Sequence, residues 1–171
     1  MKGIIIPLDD WAAGRREFRF QAGLEFFQKF GNEDILDAAI SIRADVDKKG
    51  AASADADISI SGTLTVSCDR CLEPVSIPIE KVVYLKAGRN PSLEGDPSED
   101  GREPVELEAD GGLDISQVVY DYSLLSLPMQ RIHPEGKCNP DTVIYLGREE
   151  RKNEEADIEN SPFSALKGLF K

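Results

Sequence analysis

Leu36-Asp37-Ala38-Ala39-Ile40-Ser41-Ile42-Arg43-Ala44-Asp45-Val46-Asp47 is followed, after Lys48-Lys49-Gly50, by Ala54-Asp55-Ala56-Asp57-Ile58-Ser59-Ile60-Ser61-Gly62-Thr63-Leu64-Thr65-Val66. In the first run Leu36, Ala38, Ile40, Ile42, Ala44 and Val46 recur at every second position. In the second, Ala54, Ala56, Ile58, Ile60, Gly62, Leu64 and Val66 do the same. Successive side chains of a strand point to opposite faces, so a period of two held this long predicts two strands, each with one dry and one wet face. One wet face is a mark of antiparallel sheets, and Gly50 between the runs makes a hairpin natural.

Outward from this pair, Arg16–Ala22 alternates as a half-buried strand, with Phe18 and Phe20 on one side and Glu17, Arg19 and Gln21 on the other. Leu24–Phe30 crowds apolar residues and stops at Gly31-Asn32, which fits a short helix or an aromatic turn equally. Val75, Ile77 and Ile79 open a further strand running to about Leu85, and Pro78 within it predicts an edge or a bulge. Gly88–Gly112 reads as a long acidic loop interrupted by a short alternating piece, Val105–Leu107. A helix follows, with Asp114 and Gln117 spaced as a capping box, an apolar face of Ile115, Val118, Val119, Tyr122 and Leu125, and a stop at Pro128. Thr142–Leu146 suits a last strand. The predicted class is α+β: mainly an antiparallel sheet or partly open barrel, with one or two packed helices.

This body, residues 1–146, is expected to be a single β-rich domain. Residues 147–171 are expected to be a flexible charged tether and a short amphipathic helix. The stretch 147–160 has three basic and six acidic side chains and almost nothing apolar. Ser161-Pro162 then begins a helix with Phe163, Leu166 and Phe170 on one face, which either folds back or docks in a partner's groove.

The 171 residues carry a net charge of −12. Nonspecific nucleic-acid binding rests on Lys and Arg displacing counterions, so charge alone does not favour RNA; the net-negative charge is read first as keeping the protein soluble, and as a sharper alternative as an acidic face for a basic partner. No stretch approaches the ~18 apolar residues of a membrane span. The N-terminus lacks the apolar core of a secretory signal, so a cytoplasmic location is expected. Glycines form no phosphate loop, one histidine limits nucleophile–base arrangements, and no small-molecule substrate is expected.

The chemistry-bearing motif is Cys68-Asp69-Arg70-Cys71, at the turn between the second long strand and the next. Three cysteines, two of them this close, make a poor disulfide framework but a good metal knuckle. The third cysteine, Cys138, and the only histidine, His133, lie five residues apart downstream. Cys68, Cys71, His133 and Cys138 would close a tetrahedral zinc site, which would serve as a structural pin between sheet and helix. His133 is its weakest member. A redox role for the cysteine pair is the next reading, disfavoured because the motif lies between strands and not at a helix N-terminus. Arg70 and Arg131, beside the candidate ligands, are candidate partner contacts, as are Phe163, Leu166 and Phe170.

At Cys68-Asp69-Arg70-Cys71-Leu72-Glu73-Pro74 the chain resembles the YceD family, the large ribosomal RNA subunit accumulation proteins. Two further blocks carry the resemblance: Leu124-Leu125-Ser126-Leu127-Pro128-Met129 with the His/Cys loop after it, and Ser161-Pro162-Phe163-Ser164-Ala165-Leu166 with its basic end. The resemblance implies a factor needed for normal levels of large-subunit ribosomal RNA, with no catalytic residue to carry over. Expected partners are ribosomal proteins or large-subunit assembly intermediates, with ribosomal RNA contacted indirectly. A direct RNA-binding zinc module, and a redox or metal-storage protein, are the alternatives.

Overall fold

Five strands form the main sheet, in the order β2 (Gly14–Gly23), β3 (Ile35–Gly50), β4 (Ser53–Ser67), β5 (Pro74–Gly88) and β6 (Glu103–Glu106). All neighbours are antiparallel except β5 and β6. A second, two-stranded sheet pairs β1 (Ile5–Pro7) with β7 (Gly112–Asp114). Helix α1 (Leu24–Lys29) follows β2, and α2 (Ser116–Leu125) follows β7. The computed structural model describes residues 3–50, 53–89 and 101–144, and the main sheet is not closed. The chain divides into two compact units: Met1–Ser67 with Pro74–Arg131, and Cys68–Glu73 with Ile132–Lys171. The expected tether and terminal helix, with Phe163, Leu166 and Phe170, lie outside the described residues.

The alternation predicted for β3 and β4 holds over most of their length. Ile40, Ile42, Val46, Ile58, Ile60 and Leu64 are buried on one face, and Ile42 lies opposite Ile60. Two departures are instructive. Leu36, expected on the dry face, is 41% exposed, while Ile35 is buried. The β3–β4 register shifts between Ile35 and Asp37, and a bulge of one residue turns the side chains before it to the opposite face. At the other end, Lys48 continues the dry-face phase and is buried. Its ammonium donates to the Leu8 carbonyl and, at 2.9 Å, to the Trp11 carbonyl. Two carbonyls make a charged side chain tolerable where an aliphatic one would be expected.

Gly62 lies on β4 opposite Ile40 of β3. Its φ is +154°, and a Cβ there would fall 2.1 Å from the Ala39 carbonyl oxygen. Pro78 sits opposite Thr63, in the part of β5 that has no second strand neighbour among the described residues. This is the edge position expected from a residue without an N–H.

Leu24–Lys29 is a helix. Its Phe26 and Phe27, with Phe30 at the C-cap, form an aromatic cluster that Tyr120 of α2 joins, stacking on Phe30 with ring centroids 4.3 Å apart. The Asn32 amide donates to the Tyr120 hydroxyl at 3.1 Å. In α2, Val119 and Ser123 are the buried residues, whereas Leu125 is 75% exposed and leaves the predicted apolar face. The capping box is also not formed. Asp114 Oδ1 accepts the Ser116 N–H at 2.8 Å, but the Gln117 amide turns forward to Asp121, one helical turn on, at 2.8 Å. Two pieces of the predicted 88–112 loop are strands, β6 and the start of β7. β6 overlaps the alternating piece read at Val105–Leu107 and pairs with β5, whereas β7 is too short for a period to show and pairs with β1.

Candidate metal centre

Ser67 and Pro74 form the last registered pair of β4 and β5, so residues 68–73 close the hairpin. The loop folds tightly on itself: the Cys68 N–H donates to the Glu73 carbonyl at 2.8 Å and the Leu72 N–H to the Cys68 carbonyl at 2.9 Å. To make this turn Leu72 takes φ +64°, a left-handed conformation that costs a residue with a Cβ ~1–2 kcal/mol. Its side chain is 74% exposed, so packing returns little of that cost. Leu72→Gly is therefore expected to stabilise the protein by about 1 kcal/mol, less glycine's added freedom in the unfolded chain. A chemical-denaturation midpoint that falls in this variant would show that the leucine side chain stabilises the loop.

The second half of the centre is another tight loop. Gly136 has φ +74°, and the Lys137 N–H donates to the Pro134 carbonyl at 3.0 Å. This turn carries His133 and Cys138 around to the same side. The following residues are helical over 140–144, where a strand over Thr142–Leu146 was expected; 145 and 146 lie outside the described residues. Asn139 caps this helix through Oδ1, which accepts the Asp141 N–H at 3.0 Å, and Pro140 takes the first helical position. These start signals outweigh the strand preference of Thr142, Val143 and Ile144.

The ligand atoms of Cys68, Cys71, His133 and Cys138 all lie within 4.8 Å of one another. Cys68 Sγ is 3.9 Å from Cys138 Sγ, and His133 Nδ1 is 3.4 Å from Cys71 Sγ and 3.9 Å from Cys138 Sγ. A tetrahedral zinc with usual bond lengths sets S···S near ~3.8 Å and S···N near ~3.5 Å. The spacings therefore fit a metal ion at the centre of the four. They do not fit a disulfide, whose sulfurs sit at about 2.05 Å, and all three cysteines are free. Cys68 and Cys71 are buried, and His133 and Cys138 partly so.

Electrostatics divides the thiols. Burial pushes the Cys68 thiol up, but the backbone N–H groups of Cys71, Arg70 and His133, with the Cys71 side chain, outweigh it and bring it down to about 6 from an ordinary 9.0. Cys138 is moved up, first by burial and then by Cys68 and Cys71 beside it. Cys68 is thus prepared as a thiolate before a metal arrives, and Cys138 needs the cation to lose its proton.

Of the other candidate residues, Arg70 is exposed on the 68–73 loop. Arg131 belongs to the other compact unit, where it lines a cavity of about 330 Å³ with Ile35, Leu124, Leu127 and Met129. Sequence reasoning missed Asn139 and its bond to Glu73, although Asn-Pro directly after Cys138 is a helix-start signal.

No helix among the described residues is long and apolar enough to cross a membrane. No curated protein and no solved structure matches the chain. Residues 56–170 match the family described as Large ribosomal RNA subunit accumulation protein YceD, a stretch that includes all four residues of the centre. With most of its length covered by that match, the chain belongs to the YceD family.

Proposed function

We propose that this protein is a non-enzymatic factor that supports accumulation of large-subunit ribosomal RNA through protein contacts, with one zinc ion held by Cys68, Cys71, His133 and Cys138 as a structural pin. The observation that carries the first part is the family match over 56–170. The chain's three cysteines and one histidine all enter the metal centre, which leaves no thiol or imidazole elsewhere for nucleophilic or acid–base chemistry. Zinc is the metal that three thiolates and an imidazole in tetrahedral spacing suit best. When bound, it cross-links two loops far apart in sequence.

A basic partner, of the ribosomal-protein kind, is supported by charge. On the wet face of the main sheet Asp45 lies opposite Asp57, and Asp47 opposite Asp55. Like charges directly across a ladder destabilise it. Arg43, Lys49 and Arg102 offset part of that repulsion in the chain itself. A cationic partner would relieve the rest.

Affinity capture of the full-length protein from growing cells is expected to recover large-subunit precursors or their proteins, in a salt-sensitive manner, and deletion is expected to lower large-subunit ribosomal RNA. Normal ribosomal RNA after deletion, with no ribosomal component captured, would overturn the proposal. Tight, salt-dependent binding of purified protein to naked ribosomal RNA would favour the direct RNA-binding reading instead, through Arg70, Arg131 and Lys137.

A further inference from the structure

We propose that Asn139 is a positioning residue for the metal centre, joining its two halves through Glu73. This inference rests on the metal reading above. Asn139 follows Cys138 directly, and Glu73 lies two residues after Cys71. The Asn139 amide Nδ2 donates to Glu73 Oε1 at 2.6 Å, across 66 positions of sequence. A carboxylate acceptor makes this a charge-assisted bond, the stronger kind.

Both partners are held in place by other bonds. Asn139 Oδ1 accepts the Asp141 N–H at 3.0 Å and the Asn139 carbonyl accepts the Val143 N–H at 3.2 Å. The Glu73 carbonyl accepts the Cys68 N–H. A continuous path thus runs from Cys68 through Glu73 and Asn139 to Cys138, and it involves no sulfur atom. It brings the two cysteine-bearing loops together by means other than the metal itself, so the ion meets four donors already near their bonding positions. Groups around a metal site that orient its ligands are typically worth ~10–100-fold in affinity.

Helix capping alone would give Asn139 a purely local role, and substitution separates the two. Aspartate caps a helix about as well as asparagine. Asn139→Asp therefore keeps the cap but loses the donor and places a carboxylate against Glu73. Adding Glu73→Gln supplies a donor from the other side and rebuilds the bond with its polarity reversed.

The test titrates full-length wild type, Asn139→Asp and the double variant with Co²⁺, following the thiolate-to-cobalt and ligand-field bands, and then with Zn²⁺ against a competing chelator. Asn139→Asp is expected to weaken binding ~10–100-fold and to distort the tetrahedral ligand-field spectrum, and the double variant to recover most of both. Wild type that binds while Asn139→Asp matches it, or a double variant no better than the single, would overturn this inference and leave the metal reading standing. Wild type that binds neither ion would overturn the metal reading and this inference with it.

Discussion

Cys71→Ser is expected to abolish zinc binding, and native mass spectrometry should show wild type with one zinc and the variant with none. The hydroxyl that replaces the sulfur is a poor ligand at neutral pH because it does not ionise there. Removing a direct ligand should cost more than the ~10–100-fold that an outer-shell partner costs. Zinc bound only to the folded chain at a thousandfold excess over Kd contributes about 4 kcal/mol of stability. Its loss should lower Tm by about 10 °C in a chain of this size. Acid should do the same to wild type, because the ligands must shed protons to bind metal. Cys68, held down at about 6, favours the folded state as a thiolate, and that contribution shrinks as pH falls from the thiol's ordinary 9.0 and is lost through 6; the raised Cys138 works in the opposite sense, favouring the folded state while it keeps its proton. Zinc release that sets in on acidification toward pH 6 is the expected result. Wild type that carries no zinc, with a Cys71→Ser variant of the same Tm, would remove the metal from the account.

Gly62→Ala is expected to be the most damaging small substitution in the sheet. The added methyl would sit 2.1 Å from the Ala39 carbonyl oxygen and 2.8 Å from the Ile40 Cα, and both atoms belong to backbone that is fixed by pairing. The φ of +154° also disfavours any residue with a Cβ. Overpacking and backbone strain each cost ~1–3 kcal/mol, so a loss of about 3 kcal/mol is expected, read as a lower denaturant midpoint with an unchanged slope. Ser61→Ala, next along the strand on the exposed face, is the control and should stay within ~0.5 kcal/mol of wild type. Equal midpoints for the two variants would show that β3 can move away from β4 at this point.

Both predictions begin from features that the sequence displays, but the structure supplies what makes each one large. The glycine at position 62 stands in an otherwise regular alternation, where it reads only as one more small residue on the dry face. Its importance comes from the Ala39 carbonyl, which belongs to another strand. The cysteine pair reads as a knuckle by its spacing alone. That His133 turns Nδ1 toward Cys71 and Cys138 depends on a turn around Gly136 that the spacing does not dictate.

The long alternations determined β3 and β4, because a period of two imposes one buried face on any strand that carries it. The missing N–H of Pro78 pointed to an edge or a bulge, and the cysteine spacing to a knuckle between two strands. Tertiary structure alone decided where that logic stops. A bulge beside Leu36 exchanges it with Ile35, and two carbonyls bring Lys48 inside. It also made a strand of Gly112–Asp114, which is too short to carry a period, and paired Glu103–Glu106, which overlaps the alternating piece at Val105–Leu107, with β5. The physical reason is the same throughout. Periodicity records the average environment along a strand, whereas bulges, buried charges, short pairings and metal ligands depend on single contacts with residues distant in the chain.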